Sequence, residues 1–579
     1  MIAQQFVQII GLEFGVFLSL AMFAVFVVLI LSGYNVAYCF AGTALVFAFI
    51  GDQANAFNTD TFNPQTLAGQ LPSNWATSLN SSQLLAVPLF VLMGAVLERS
   101  GLAERLLNAF GLLMGSIRGG VAAAVIVVGT LLAAATGVVA ATVIVMGLLS
   151  LPAMLRLNYD HQLATGAIVA SGTLAQLLPP SIVLILLSQE LGVGIIGLFS
   201  GALLPGLLLS VLYIAYTMGI AYFRPGHGPA MPAEERKLSG TPSTRSALII
   251  AASLGFSVFL VTLLIGLRPA VISAAVVALV SFALVSRFSM LTAEVLVSII
   301  PVLVLIAGVL ISIFQGVATP SESGAVGVFG ALVLTAFNYL FDRTLVGDGA
   351  SHISVRWRLD WEAIKEAARS TANITILVMT LLYASLFFRL MFQELGGSAQ
   401  VANWLSSIPG GKFGFVVVAM VAVFLLGINL EFLEITYIVV PIFVPAMAAL
   451  QFTDQEIVWF AVLMAVNLNM AFISPPVGFS LFYLQSVAPP EVKTVDIHKG
   501  ALPFMGLQIL ALLILALVPG ITNFSYCFFN PNAPEQFCDP NSNTGTWFLG
   551  TLGVLAVGLF ILIALRSASS QRKGRLQAA

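Results

Sequence analysis

The chain has 579 residues, 59% hydrophobic and 8% charged, with a formal net charge of -2 and a mean hydropathy of +1.03. A soluble globular protein carries about 25% charged residues, so this composition describes a polytopic membrane protein and excludes a basic face for nucleic acid. The four histidines and three cysteines form no CxxC or Cys/His metal pattern.

No leader with a basic start and a small-residue cleavage site is evident, and the first apolar run begins near Val16. Crossings are predicted at 14–32, 34–50, 83–98, 162–189, 195–222, 246–266, 269–286, 295–314, 321–341, 373–393, 456–484, 501–520 and 547–565. A spanning helix needs roughly 20 apolar residues. Cys39, inside the second crossing, reads as a small hydrophobe. Basic residues set orientation. Arg236 and Lys237 mark the connector after the fifth crossing as cytoplasmic, as do Arg343, Arg356, Arg358, Lys365 and Arg369 between 341 and 369. Arg566, Arg572, Lys573 and Arg575 do the same for the C-terminal tail. The stretch 51–82 has no Lys or Arg and reads as an external loop, as does the polar loop holding Cys527 and Cys538. Those two cysteines pair if that loop faces an oxidising compartment.

With this charge map, the apolar stretches at about 120–155 and 412–450 must enter and leave on the same side, which makes them re-entrant hairpins. Non-helical backbone at membrane depth is tolerated only where it is buried in protein or lines water. The expected architecture is an all-α membrane protein with an inverted repeat, two hairpins and two broken helices. Its first repeat is 1–222, with the hairpin at about 120–155 and the broken helix at about 162–189. A cytoplasmic connector (223–245) and an added helix pair (246–286) follow. The second repeat is 290–520, with the hairpin at about 412–450 and the broken helix at about 456–484. An external loop (521–546) and a terminal helix with its basic tail (547–579) end the chain.

The repeat is visible in the letters. "PAMLRLNYDHQLATGAIVASGTLAQLLPPS" starts at Pro152 and "PAMAALQFTDQEIVWFAVLMAVNLNMAFISPPVG" at Pro445. Each runs from Pro-Ala-Met through a polar turn, with Asp160 or Asp454, to a double proline. Upstream, "LERSGLAERLLNAF" at Leu97 resembles "QELGGSAQVANWLSSI" at Gln393, and equivalents stay 293 to 296 residues apart. Inverted repeats with discontinuous helices are a hallmark of secondary transporters, which bind their solutes where the broken helices meet.

A helix broken inside a membrane frees N–H groups at one half and carbonyls at the other. Ser171, Gly172 and Thr173 precede the first break, Pro179 and Pro180 prevent the helix from healing, and Ser181 stands at the restart, a natural capping position. The second copy offers Asn467, Asn469, Ser474, Pro475 and Pro476. "AAATGVVAATVIVMG" puts Thr136, Gly137 and Thr142 near the first hairpin tip. "LGINLEFLEITYIVVP" puts Asn429, Glu431, Glu434 and Thr436 near the second. Carboxylates at such depth are costly and mark ion or proton sites by default. Alkali ions want carbonyls, hydroxyls and a carboxylate, which this set supplies. Few membrane-centre segments carry Lys or Arg, so an organic anion would rely on backbone dipoles, amides and co-bound cations. "FQGVATPSESGAVGVFGALV" offers Thr319 or Ser321 as a cap for a helix beginning near Pro320, with Glu322 in its first turn. A capped packing helix and a direct site role both fit it.

"GVATPSESGAV", "ASGTLAQLLPPS" and "VNLNMAFISPPVGFSLF" resemble signatures of the large, DctM-like membrane subunit of tripartite ATP-independent periplasmic (TRAP) transporters, over roughly 14–222 and 290–520. The resemblance implies an elevator-type scaffold and transport domain in a bacterial inner membrane. It further implies sodium-coupled import of an organic anion, often a carboxylate, delivered by a periplasmic binding protein, with a small four-helix subunit expected as a separate chain. Sodium ions would be co-transported, and no organic cofactor is implied. By position, Thr136, Thr142 and Glu431 match sodium-proximal sites, Glu431 standing where the family often has Asp. Val138 departs from a Ser-Gly-Ser pattern. The alternative is a self-sufficient sodium/carboxylate symporter of the same hairpin architecture. An enzyme is disfavoured because His161, His227, His352 and His498 form no HExxH, and an ATP-driven pump because no GxxxxGK[ST] loop occurs.

Overall fold

The apolar runs fold as helices because a bilayer offers backbone groups no other partner. The computed structural model describes residues 13–54, 56–57, 64–232, 234, 252–256, 275–277, 290–347 and 361–529, and among them it has no strand. The expected helices at 246–286 and 547–565, and Cys538, lie wholly or largely outside the described residues.

The first half of the chain comprises α1 (Phe14–Leu31), α2 (Val36–Gln53), α3 (Pro64–Leu79), α4 (Ser82–Arg99), α5 (Leu102–Met114), α6 (Gly120–Thr136), α7 (Val139–Arg156), α8 (His161–Thr173), α9 (Ile182–Leu191) and α10 (Ile195–Phe223). The second comprises α11 (Met290–Phe314), α12 (Pro320–Gly347), α13 (Trp361–Glu394), α14 (Gly397–Ser406), α15 (Gly411–Gly427), α16 (Phe432–Ile438), α17 (Val440–Ala449), α18 (Asp454–Phe472), α19 (Phe479–Val487) and α20 (Thr494–Leu517). α21 (Gly520–Phe529) follows and ends beside Cys527, which is bonded in a disulfide, whereas Cys39 is a buried free thiol. Among the described residues, eight helices are long and apolar enough to cross a membrane, and up to eleven if bent pairs count as single spans.

Most expected segments appear in place, with four differences, one being that α21 occupies the start of the loop expected at 521–546. The stretch expected as the external loop 51–82 contains helix α3, with Pro72 inside it. The crossing expected at 373–393 starts twelve residues earlier, at Trp361, because its first turns are polar and escape a hydropathy reading. The second hairpin's returning arm is split into α16 and α17, bent by 42°. Pro441, in the first turn of α17, has no N–H to bond back across that bend.

The two halves repeat one backbone plan. A left-handed glycine, Gly101 or Gly396, turns α4 into the short α5 and α13 into the short α14. Each is followed by a hairpin, and then by a capped helix that breaks at a double proline. Asn158 and Gln451 both close a returning arm in the left-handed region, the same 293 residues apart as Pro152 and Pro445. Asp160 accepts from the N–H groups of Gln162 and Leu163, and Thr453 accepts from Glu456 N, so both broken helices start from a side-chain cap.

Packing sorts the helices into two groups. α1, α2, α4 and α11–α13 form flanking layers, where Phe26 stacks on Phe40 at 4.6 Å and meets Phe388 in a tilted contact at 4.9 Å between ring centres. The hairpins, the broken helices, α10 and α20 form the second group, called here the break bundle. α8 and α20 approach closely, since a Cβ on Gly166 would lie 2.7 Å from a Phe504 ring carbon. Small residues allow such contact where the hydrophobic effect cannot drive helices together. α5 packs on both α6 and α11, and α14 on both α17 and α1, so these short helices bridge the groups. Arg105, buried on α5, donates to Asn338 Oδ1 of α12 at 3.0 Å. The groups also touch directly through α4 against α6 and α9, and α13 against α16.

Candidate functional site

The first break is sealed inside the protein. α8 stops at Thr173, a single tight turn covers Leu174–Gln176, and α9 restarts at Ile182. At 1.5 Å per residue, α8 and α9 measure about 20 Å and about 15 Å, so only together do they cross a core of about 30 Å. Ser171, Gly172, Thr173, Pro179, Pro180 and Ser181 are all buried. Ser171 donates to Ile168 O at 3.0 Å and Thr173 to Ala170 O at 2.9 Å. Each hydroxyl keeps its lone pairs for a cation or a donor. Ser181 stands at the N-cap of α9, but its hydroxyl turns back to Gln176 O at 2.8 Å and makes no cap bond. That corrects the capping role expected for it and leaves the first-turn N–H groups of α9 without a side-chain partner.

The first hairpin tip meets this break. Gly137 has φ +62°, a conformation that only glycine adopts cheaply. A Cβ there would lie 3.1 Å from Pro180 O and 3.4 Å from Ile182 N. Beside it the Thr136 and Thr142 hydroxyls lie 2.9 Å apart, and Thr142 also donates to Val138 O at 3.0 Å. Both are buried. Gly172 packs on Val143 of the returning arm, with a would-be Cβ 3.3 Å from Val143 N.

The second break is more open, with Pro475 half-buried, Pro476 exposed and Ser474 buried. Its hairpin tip carries the charge. Glu434 accepts from Glu431 N at 3.1 Å, and Tyr483 of the restart helix α19 donates to Glu431 Oε1 at 3.4 Å. That bond ties tip to break, as Gly137 does in the first copy. Thr436 is buried and donates back to Phe432 O at 2.8 Å, and Asn429 lies in the turn before the tip. Asn467 donates to Met420 O of α15 at 2.6 Å, leaving its Oδ1 without a partner. Neither amide atom of Asn469 has a partner, although the residue is fully buried.

The two sites interlock. α9 packs on α16, α17 and α18 of the second repeat, and the turn 174–176 also packs on α18. In return, α19 packs on α7, where Leu484 and Val487 cover Gly147. Thr319, Pro320 and Glu322 lie elsewhere, at the start of α12, which packs on α4 and α11. There Thr319 N donates to Glu322 Oε2 at 2.8 Å and Glu322 N to Thr319 Oγ1 at 3.3 Å, a reciprocal cap. Ser323, one residue on, shares a 2.8 Å bond with Ser312 and joins α11 to α12.

Sequence reasoning passed over Gln176 and Ser480. Gln176 is fully buried in the first break with neither amide atom partnered, and the Ser480 hydroxyl is in the same condition after the second. A glutamine within an apolar run just before a double proline was the available signal. A buried polar group without a partner costs about 1–3 kcal/mol. Gln176 at the first break and Asn467, Asn469 and Ser480 at the second are among such groups, and an ion or a polar solute would complete them.

A sequence model for the DctM component of the tripartite ATP-independent periplasmic transporters matches residues 23–521. The chain belongs to this family. This DctM-type chain is therefore a multi-pass protein of the bacterial inner membrane, in a family of transporter permeases. It is 25% identical over 79% of its length to the isethionate TRAP transporter permease DctMQ of Oleidesulfovibrio alaskensis, and spans 61% of that protein. It is 23% identical over 76% of its length to the C4-dicarboxylate TRAP transporter large permease DctM of Vibrio cholerae, spanning 85% of it. The sialic acid TRAP transporter permease SiaT of Haemophilus influenzae matches at 25% over 77% of the chain, which spans 60% of that relative.

Proposed function

We propose that this DctM-type chain is the large permease of a sodium-coupled importer of an organic anion. The observation that carries the reading is the pairing of each hairpin tip with a helix break, both lined by buried polar groups that lack partners. Sodium is cargo in this scheme. Thr136, Thr142, Thr173 and backbone carbonyls would ligate it in the first repeat, and Glu431, Asn467, Asn469 and Thr436 in the second. The solute would be a carboxylate or a comparable anion, in keeping with the C4-dicarboxylate, sialic acid and isethionate named for its relatives. A periplasmic binding protein would deliver it to this chain and a small four-helix membrane subunit. The inverted repeat then supports alternating access by an elevator, in which the break bundle moves against the flanking layers.

The test is reconstitution of the chain with its small subunit in vesicles, the binding protein outside and an inward sodium gradient. Binding-protein-dependent, sodium-dependent uptake of an organic anion is expected. Uptake that persists without any binding protein would favour a self-sufficient symporter, and the absence of uptake for every anion tried would overturn the reading.

A further inference from the structure

An ion pair among the described residues crosses between the two groups of helices. Arg389, near the end of α13, donates to Glu190 Oε2, near the end of α9, at 3.0 Å. The partners are unequal. The Glu190 side chain is 5% exposed while that of Arg389 is 43% exposed. A carboxylate so thoroughly desolvated needs a partner, and stripping one member from a buried pair is far costlier than losing a surface pair. Glu190 belongs to the broken helix and Arg389 to the flanking layer, so any sliding of one group past the other must separate them.

A second donor lies on a helix packed against both members of the pair. Tyr437 lies on α16, which packs on both α9 and α13. It is 3% exposed and its hydroxyl has no hydrogen-bond partner. Gln189, the neighbour of Glu190, likewise has a buried Oε1 without a partner. Tyr437 sits in the break bundle with Glu190 and would travel with it. Its O–H can donate to the carboxylate once the guanidinium, which is already half in the open, has withdrawn.

We propose that Arg389 and Glu190 form a latch that holds the break bundle against the flanking helices, and that Tyr437 takes over the Glu190 carboxylate when the latch parts. The proposal rests on the elevator reading above. It assigns opposite effects to neighbouring residues. Weakening the ion pair favours the parted state, whereas removing the Tyr437 hydroxyl leaves that state with a bare buried carboxylate and disfavours it.

The experiment is a spin-label distance measurement on the full chain in lipid nanodiscs. Labels go on cysteines at Tyr38 of α2 and Leu148 of α7, both exposed, in a Cys39→Ala background. Relative to the unmutated pair, Glu190→Gln and Arg389→Gln are expected to raise the fraction at the second distance about tenfold, the equivalent of one charge-assisted hydrogen bond. Tyr437→Phe is expected to deplete it. The exchange Glu190→Arg with Arg389→Glu should return the distribution towards that of the parent, which separates a latch from a folding defect. One distribution shared by the parent, Glu190→Gln, Arg389→Gln and Tyr437→Phe would overturn the proposal. If vesicle uptake by the parent fails for every anion, the importer reading falls while the distance comparison still judges the latch. Normal uptake with indifferent distances removes the latch alone.

Discussion

Gly137→Ala tests the contact between the first hairpin tip and the first helix break. Two costs arise from different causes. The added Cβ must live at φ +62°, which costs an L-residue about 1–2 kcal/mol. It also arrives 3.1 Å from Pro180 O and 3.4 Å from Ile182 N, and both neighbours are backbone atoms that cannot rotate away. Overpacking of this kind costs about 1–3 kcal/mol, so the total is roughly 2–5 kcal/mol, relieved by pushing the tip away from the break. Gly33→Ala is the control, because Gly33 has φ +85° with nothing within 4 Å of the new Cβ. It carries the conformational cost alone, about 1–2 kcal/mol. Thermal unfolding of the two purified variants, with sodium-dependent uptake in vesicles, reads both effects. Gly137→Ala should unfold at the lower temperature and lose sodium-dependent uptake, while Gly33→Ala keeps it. Equal unfolding temperatures and equal uptake would refute the claim that tip and break form one packed site.

Gln176→Leu removes two buried amide atoms that have no partner. The variant should be more stable than the parent by about 1–3 kcal/mol in the absence of solute, yet transport more slowly; a stability loss would mean that the amide already has a partner. Glu431→Gln keeps the volume and the Tyr483 contact but removes the charge, so the sodium concentration giving half-maximal uptake should rise; an unchanged sodium dependence would sink the role given to Glu431. Tyr483→Phe deletes the bond from restart helix to hairpin tip at 3.4 Å and should raise the hydrogen exchange of α19 and of the tip around Glu431, measured by mass spectrometry. Thr319→Ala removes a reciprocal helix cap and should cost about 1 kcal/mol of stability without altering the sodium dependence of uptake.

The helices were legible because a bilayer demands long apolar runs, and the breaks because Pro179–Pro180 and Pro475–Pro476 interrupt such runs at matched places. The stretches at about 120–155 and 412–450 were expected as re-entrant from charge, and the structure gives them as α6–α7 and α15–α17, with Val139–Arg156 long and apolar enough to cross a membrane. Helix α3 was missed because its residues are too polar for a hydropathy reading, and the early start of α13 for the same reason. The second arm's bend was written in Pro441, but a proline near a helix start is equally compatible with a straight continuation.

The sequence by itself determined the class of protein, the two breaks and most of the polar residues around them. Each of these follows from local chemistry or from spacing along the chain. Which partner each polar atom finds was decided by tertiary structure alone. Ser181 looks like a helix cap in the letters, and the fold turns it back to Gln176 O. Gln176 looks like an irregularity in an apolar run, and the fold buries both its amide atoms without a partner. Arg389 and Glu190, 199 residues apart, carry no mark of each other in the sequence. Their contact exists because α9 and α13 both pack on α16, which brings the ends of the two helices within reach, and hydrogen bonds and ion pairs depend on distances that composition and periodicity do not encode.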